Sequence, residues 1–351
     1  MTHAMRPTIR EVAREAGVSI ATVSHALSGK RPVSGATRRR IKAAARRLNY
    51  RPNQVAASMI TGRTQTLGVL VPDIANPFFG GLVHAAEAAA AARGYTVVFS
   101  TAELDPALET RAVEVLQDKR IDALLYLGGT DSDNRALRSL AKTGTPIVAL
   151  DEALPTIPRG ASLVTVDNEE GGRLAAQHLL GIGHTELGVV TGPRGLPTAR
   201  DRLEGFAKAA ASDRPHRRRI RYADAYTLDG GRAAALDLLE REPEITALFC
   251  ANDLMALGAI DAARSLGRNV PRDLSVVGFD DIFVSALVSP ALTTIRQPLA
   301  RLGKEAAELA IDLIEGQTAG PEQRVLPVEL VVRGSTVRQA ARRGVLAAAS
   351  T

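Results

Sequence analysis

Polar side chains stand at the ends of several short apolar runs in this 351-residue chain. The run LGVLV is followed by PDIANPFF, and the run LSVVGF ends in Asp280 and Asp281. Paired carboxylates serve acid–base catalysis, but neighbouring residues of a strand point to opposite faces, so this pair does not easily share one substrate. Carboxylates, amides and guanidinium groups around aromatic rings favour instead a binding site for a small, hydroxyl-bearing molecule.

Motifs of the common catalytic and cofactor sites do not occur in the sequence. The six histidines are scattered without an HExxH pair, there is no serine elbow or Walker loop, and GVLVPD lacks the glycines of a dinucleotide site. The single cysteine, Cys250, excludes an intrachain disulfide and a cage of cysteine metal ligands. We therefore expect neither an enzyme nor a protein that carries a metal or cofactor.

The elements that must position these polar residues begin at Leu67. Short apolar runs alternate there with amphipathic segments such as NEEGGRLAAQHLLGIG, which predicts parallel sheets covered by helices on both faces. Nine runs suit two doubly wound α/β lobes, with a change of lobe near residues 165–168. The runs are LGVLVP, YTVVFS, IDALLYLG, PIVALD, SLVTVD, LGVVTGP, RYADAY, ALFCAN and LSVVGFD. Ligands of such sheets bind at the carboxyl ends of the strands, where the polar residues stand.

Charge is concentrated at the N-terminus. Residues 1–66 carry 13 Lys and Arg against two Glu, a net charge of +11, whereas the whole chain carries +6, so that residues 67–351 carry −5. Such asymmetry indicates a polyanionic partner for the N-terminal segment. The alternative is a solvated basic tail, which would have no core of its own.

The N-terminal segment nevertheless has the pattern of an all-α helix-turn-helix module. TIREVAREAG predicts a helix that begins with a capping box of Thr8 and Glu11 and ends at Gly17. Ser19 is expected to cap a second helix, IATVSHAL, and Ser34 a third one whose arginines point outward. Two short helices joined by a three-residue turn form the unit that enters DNA grooves in many regulators.

The ordered motifs of the chain resemble the lactose-repressor/galactose-repressor (LacI-type) family of bacterial transcription regulators. The resemblance extends from about residue 8 to 338 and rests on TIREVAREAGVSIATVSHAL, VSGATRRRIKAAARRLNYRPNQVAASM, LGVLVPDIANPFF, ANDLMALGA and VVGFDDI. It implies a helix-turn-helix DNA-binding domain at 1–51 and a hinge helix with linker at 52–66. A periplasmic-binding-protein-like body for effector binding and dimerisation would cover 67–338, its two lobes joined by three crossovers near 166, 296 and 326. Residues 339–351 would form a tail.

For DNA recognition, the resemblance places the base-contacting positions of the second helix at Ile20, Ala21 and His25. His25 stands where the family usually has Arg, and because histidine offers a single donor instead of a bidentate fork, the guanine preference usual at that position is not assured. The candidate phosphate contacts, each of which could alternatively be a helix cap or a solvated residue, are Thr8, Ser19, Thr22, Ser34, Thr37 and Arg38.

The family's hinge helix pairs with its dimer mate in the minor groove, and the matching residues here are Asn53, Val55, Ala56 and Met59. Met59 stands where a leucine is wedged between base steps, a role that a methionine side chain also suits. The alternative is a linker in which Met59 merely packs on the body.

Family effector contacts, transferred by motif, fall on Phe78, Phe79, Asp151, Arg200, Arg202, Asn252 and Asp280. Asn252 could instead cap the following helix, and one of the two phenylalanines could belong to the core. Ala225 stands where relatives often place an aromatic residue, and the chain has no tryptophan. Stacking on a sugar ring must therefore come from Phe78, Phe79 or Tyr226, or be absent.

The residues and the resemblance together favour a ligand-responsive, sequence-specific DNA-binding regulator, with a repressor as the favoured form. Its expected partners are a palindromic double-stranded DNA operator, a carbohydrate-like effector and a second copy of the chain. An extracytoplasmic sugar-binding protein would explain the body but not the cationic N-terminus, and MTHAMRPTIREVA lacks the apolar core of a secretory signal. We expect a cytoplasmic protein without a membrane partner, since no apolar run reaches the roughly 18 residues of a span.

Overall fold

The computed structural model describes residues 7–28, 31–50, 62–103, 105–128, 135–152, 160–211 and 218–339. By its internal contacts the chain divides into two compact units, which we call the head (residues 1–64) and the body (residues 65–351). The described residues contain no helix that combines the length and the apolar character needed to cross a membrane.

The head consists of three short helices around a small apolar core. The helices are α1 (Ile9–Ala16), α2 (Ile20–Ser28) and α3 (Gly35–Arg47). Val12, Val23 and Ile41, one from each helix, are fully buried against one another. The regularly spaced apolar residues of the three helices therefore pack into one core, and the predicted all-α head is confirmed.

Local hydrogen bonds start and end these helices as the sequence predicts. The carboxylate of Glu11 accepts from the backbone N–H of Thr8 at 2.6 Å, and this contact lowers the pKa of Glu11. Gly17 ends α1 with a φ of 61°. The Oγ of Ser19 accepts from the N–H of Thr22 at 3.1 Å and thereby caps α2.

The first lobe of the body is a six-stranded parallel sheet with helices on both faces. Along the chain its elements are β1 (Thr66–Val71), α4 (Pro77–Ala92), β2 (Thr96–Thr101), α5 (Pro106–Asp118), β3 (Ala123–Tyr126), α6 (Arg135–Lys142), β4 (Ile147–Leu150), β5 (Ser162–Val166), α11 (Leu299–Glu315) and β11 (Gln323–Leu326). The strand order is β11-β5-β4-β3-β1-β2. In β1, Leu67, Val69 and Val71 join the core on one face while Leu70 joins the core on the other, which explains the unbroken apolar run.

The second lobe repeats this plan with one antiparallel edge. Its elements are α7 (Asn168–Gly181), β6 (Leu187–Thr191), α8 (Pro197–Ala211), β7 (Arg218–Tyr222), α9 (Leu228–Arg241), β8 (Ala247–Cys250), α10 (Asp253–Ser265), β9 (Ser275–Asp280), a 3-10 turn (Phe283–Ala286), β10 (Thr293–Arg296) and β12 (Glu329–Val331). The strand order is β12-β10-β9-β8-β6-β7. Strand β12 runs antiparallel to β10, whereas the other strand pairs of this sheet in the described part of the chain are parallel.

Three crossovers join the lobes, between β5 and α7, between β10 and α11, and between β11 and β12. The predicted two doubly wound lobes and the crossovers near 166, 296 and 326 are thus confirmed. The described residues contain twelve strands, however, and not nine. The nine predicted runs do not include TTIR, QRVL and ELV, because each of these is short and carries charge and is recognised as a strand only by its pairing in the sheet.

The predicted strand RYADAY was wrong in its position, since β7 covers RRIRY. This strand lies at the edge of its sheet, so its charged side chains reach partners outside the core. Arg219 forms ion pairs with Glu186 at 2.9 Å and with Glu242 at 2.6 Å. An edge strand with three arginines among five residues has only a weak apolar signal, which explains the error.

Candidate functional site

Helix α2 presents a polar and partly apolar face to solvent. Val23 and Ala26 point into the head core, whereas Ile20 is 45% exposed and Ala21 is also exposed. His25, one turn further along, is half-buried. The three predicted base-contacting residues therefore lie on the accessible part of α2, where their role in DNA recognition stays a prediction.

Hydroxyl groups flank this face at the starts of α2 and α3. Ser19 and Thr22 share a hydrogen bond of 2.8 Å, and Ser34 donates to Thr37 at 2.9 Å. Ser34 also accepts from the N–H of Thr37 at 3.2 Å. These hydroxyls thus act as caps in the structure, and their role as phosphate contacts stays a prediction.

Two arginines of α3, although exposed, also contact the C-terminal end of α1. The guanidinium of Arg40 donates to the carbonyl of Ala16 at 2.5 Å, and that of Arg47 lies 3.0 Å from the Glu15 carboxylate. All five arginines of α3 are exposed, as expected, and these two in addition bridge to α1. Arg38 and Thr8 are exposed, as phosphate contacts must be. The predicted hinge residues Asn53, Val55, Ala56 and Met59 lie outside the described residues.

A cavity of about 330 Å³ lies in the cleft between the lobes of the body. It is bounded by loops that follow the carboxyl ends of the strands, where ligands of such sheets bind. From the first lobe the lining residues are Pro72, Asp73, Asn76, Phe79, Glu103, Leu127, Asp151 and Glu152, and from the second they are Leu196, Ala225, Tyr226 and Thr227. A second depression, of about 440 Å³, lies on the outer side of α7 and α8, and its charges are paired, for example Lys208 with Glu169 at 2.7 Å.

Only some of the predicted effector residues line this cavity. Phe79 and Asp151 do so, whereas Phe78 is 3% exposed and belongs to the core of the first lobe. The two rings meet edge to face with centroids 5.2 Å apart. The Arg200 side chain is 69% exposed and pairs with Asp201 at 2.8 Å, so the structure does not bring it to the cavity.

Arg202 and Asp280 form a buried layer behind the cavity. Arg202 donates through Nε to Asn168 at 2.8 Å and through Nη1 to the carbonyl of Ala251 at 2.7 Å. Its Nη1 lies 3.7 Å from Asp280, and its Nη2 lies 3.9 Å from Asp151. The guanidinium is therefore a buried counter-charge shared by a carboxylate of each lobe.

Asp280 is held tightly at the end of β9. Its φ of 115° is rare for a non-glycine residue, and its carboxylate accepts from the side-chain amide of Gln297 at 2.8 Å. Burial raises the pKa of Asp280 well above its ordinary value, and the charge of Arg202 opposes this rise. Asn252 caps α10 by accepting from the N–H of Met255 at 2.9 Å, and it donates to the carbonyl of Tyr226 at 3.3 Å.

Glu152 is the main residue of the cleft that sequence reasoning missed. Although it belongs to the first lobe, it accepts hydrogen bonds from the hydroxyl and from the backbone N–H of Thr198 in the second, the latter at 3.2 Å. Thr198 also shares a 3.0 Å hydrogen bond with the hydroxyl of Tyr226. Burial and the charge of Asp151 raise the pKa of Glu152 to about 7. The available signal was a second carboxylate directly after the strand-end Asp151.

A helix-turn-helix head and a two-lobed α/β body with a cavity in its cleft together define a DNA-binding protein with a ligand domain. Comparison with known families agrees with this description. Residues 8–53 match "Bacterial regulatory proteins, lacI family", and residues 176–336 match "Periplasmic binding protein-like domain". The chain belongs to the lacI family of bacterial regulatory proteins.

Similar proteins span nearly the whole chain. The HTH-type transcriptional regulator DegA of Bacillus subtilis is 34% identical over 335 residues, which are 95% of this chain and 98% of DegA. A structure of the Lac repressor dimer bound to operator and the anti-inducer ONPF has a TM-score of 0.80 at 31% identity, and the match covers 94% of this chain and 99% of that one. A CelR–cellobiose complex has a TM-score of 0.70 at 34% identity, with 94% and 100% covered. The chain is thus a ligand-responsive DNA-binding transcription regulator and not an enzyme, as predicted.

Proposed function

We propose that the protein is a homodimeric repressor that binds a palindromic operator and is controlled by a small polar, carbohydrate-like effector. Each head would place α2 in the major groove, where Ile20, Ala21 and His25 contact base edges. Around it, the phosphate contacts would be Thr8, Ser19, Thr22, Ser34, Thr37 and Arg38. A two-fold dimer presents two such heads, so its operator should be an inverted repeat.

The observation that carries the effector part is the Glu152–Thr198 hydrogen bond, which links the two lobes across the lining of the cavity. Leu196 and Ala199 of the second lobe also pack in a core cluster of the first. A ligand that fills this cavity contacts residues of both lobes beside these interlobe contacts. Its occupancy is therefore coupled to the arrangement of the lobes, which is the condition for a ligand to shift an equilibrium.

Control of DNA binding would pass through residues 52–66. Asn53, Val55, Ala56 and Met59 are proposed to form a hinge helix that enters the minor groove beside its dimer mate, with Met59 as the wedge. A segment this short is marginal as an isolated helix in water, so a modest bias from the body is enough to change its population.

Two measurements test this proposal. Selection of bound sites from randomised DNA should recover an inverted repeat, and an asymmetric half-site bound at full affinity would contradict the dimer. Fluorescence anisotropy of the selected operator should then change with added effector, with cellobiose and ribose as the first sugars, since similar proteins have been solved with each. A reporter placed behind the operator distinguishes repression from activation.

A further inference from the structure

The interlobe cavity has an acidic lining. Four of the described residues that line the cavity carry a carboxylate. No described lining residue is Lys, Arg or His. The carboxylates are Asp73, Glu103, Asp151 and Glu152. An anionic ligand in such a cavity is repelled at short range, whereas a ligand with donors or a positive charge is attracted.

Two arginines of α8, Arg202 and Arg200, are already engaged by other partners. Arg202 uses Nε and Nη1 for Asn168 and Ala251, and its guanidinium carbon lies 3.8 Å from the centroid of the Phe279 ring. Arg200 is exposed and bonded to Asp201. Neither donates a hydrogen bond to the carboxylates of the lining in the described part of the chain, so the acidic lining keeps acceptor capacity for a ligand.

Asp151 shows this capacity most directly. Its Oδ1 is buried and has no hydrogen-bond partner among the described residues, and the 3.9 Å to Arg202 is too long for one. A buried acceptor without a donor is costly, and a buried charge more so. Burial accordingly raises the pKa of both Asp151 and Glu152. Arg202 supplies Asp151 with counter-charge but with no hydrogen bond, so a donor that also carries positive charge supplies the missing bond and adds to the counter-charge.

Two aromatic rings face the same cavity, Phe79 from the first lobe and Tyr226 from the second. The π-face of an aromatic ring attracts an ammonium group, and this attraction increases when water is excluded. Carboxylates and aromatic rings around one cavity are therefore the combination that suits an organic cation.

We propose that the effector carries a protonated amine on a small, hydroxyl-bearing frame, and that the ammonium group binds against Asp151 beside Glu152. This inference rests on the proposed effector site. The hydroxyl groups of the frame would bond to the remaining polar residues of the lining, such as Asn76 and Thr227. The cavity would discriminate against phosphorylated or carboxylated ligands of the same frame.

Matched probes that differ in one group test the inference on the full-length protein. D-glucamine, D-sorbitol and D-gluconate share a chain and present an amine, a hydroxyl and a carboxylate at one carbon, and D-glucosamine, D-glucose and D-glucuronate provide a cyclic set. Isothermal calorimetry near pH 7 should give the amine of at least one set an affinity about tenfold or more above its neutral partner, with the anion weakest. Equal or stronger binding of the neutral or anionic members, or no binding by either amine, would overturn the proposal.

Asp151→Asn should lower amine affinity about tenfold or more while affinity for the neutral partner changes little, because it removes the charge and keeps the shape. Asp237→Asn, on the outer face of α9, is the matched control. Thermal unfolding without ligand checks that each variant folds, and Glu152→Gln provides a second variant of the same site. Loss of neutral and amine binding alike would contradict a charge-specific role.

Operator binding separates this inference from the proposed function. If the operator is bound but neither amine is, the amine inference alone fails. If an amine binds without changing operator affinity, the amine inference holds and control by this cavity fails.

Discussion

Glu152→Gln should remove a pH-dependent loss of stability that the wild-type protein carries in its cleft. Glutamine resembles the protonated acid in shape and cannot ionise. Its carbonyl oxygen can accept from the Thr198 N–H, while its amide donates to the Thr198 hydroxyl, which then donates to Tyr226. The hydrogen-bond network therefore survives the substitution, and only the buried charge is lost.

The size of the effect follows from the pKa of Glu152, which rises from an ordinary value of 4.5 to about 7 in the folded protein. Between these two values the folded state holds a proton that the unfolded state has released, so stability falls as pH rises. At about 1.4 kcal/mol per pH unit, the loss amounts to about 3 kcal/mol and is complete above pH 7. Below pH 4.5 both states are protonated and the loss disappears.

Urea unfolding of both proteins at pH 4.5 and pH 8 measures this loss. Asp151, Asp253 and Asp280 also have raised pKa values and lower stability in the same direction, but they are present in both proteins. The gain of Glu152→Gln over wild type should therefore be about 3 kcal/mol larger at pH 8 than at pH 4.5. A difference below about 1 kcal/mol would refute the argument. Glu103→Gln, exposed at the rim of the same cavity, should show no such difference.

Four further substitutions test the head, the hinge and the buried layer. His25→Ala should relax preference at one symmetric base-pair position by about 1–3 kcal/mol in site selection, whereas Arg38→Ala should weaken all sequences alike and flatten the salt dependence. An unchanged base preference would show that His25 does not contribute to sequence recognition. Met59→Ala should lower operator affinity measured by anisotropy, while calorimetry should show unchanged ligand binding. If operator affinity and DNA bending were both unchanged, the hinge would act only as a linker between the head and the body. Arg202→Met should lower the free energy of unfolding in urea by about 3–5 kcal/mol, because it leaves buried carboxylates without their counter-charge, and wild-type stability would contradict that pairing.

The class of fold could be predicted from the sequence because its signals are local. The capping of α1 by Thr8 and Glu11, the end of α1 at Gly17 and the cap of α2 at Ser19 depend on residues within four positions of one another. The alternation of apolar runs and amphipathic segments is likewise a property of short windows, and it sufficed for two doubly wound lobes. The number of crossovers was predicted from the family resemblance, since it depends on which lobe each later segment of the chain joins.

The tertiary structure alone decided which side chains meet in the cleft. Phe78 and Phe79 are adjacent in sequence, yet one lies in the core and the other lines the cavity, because successive residues of a helix lie about 100° apart around its axis. Glu152 obtains its partner from Thr198, 46 residues later and in the other lobe. Arg202 becomes a buried counter-charge only where β4 and β9 bring Asp151 and Asp280 to either side of it. Burial and the proximity of opposite charges depend on segments that are distant in sequence, so no short stretch of the sequence predicts them.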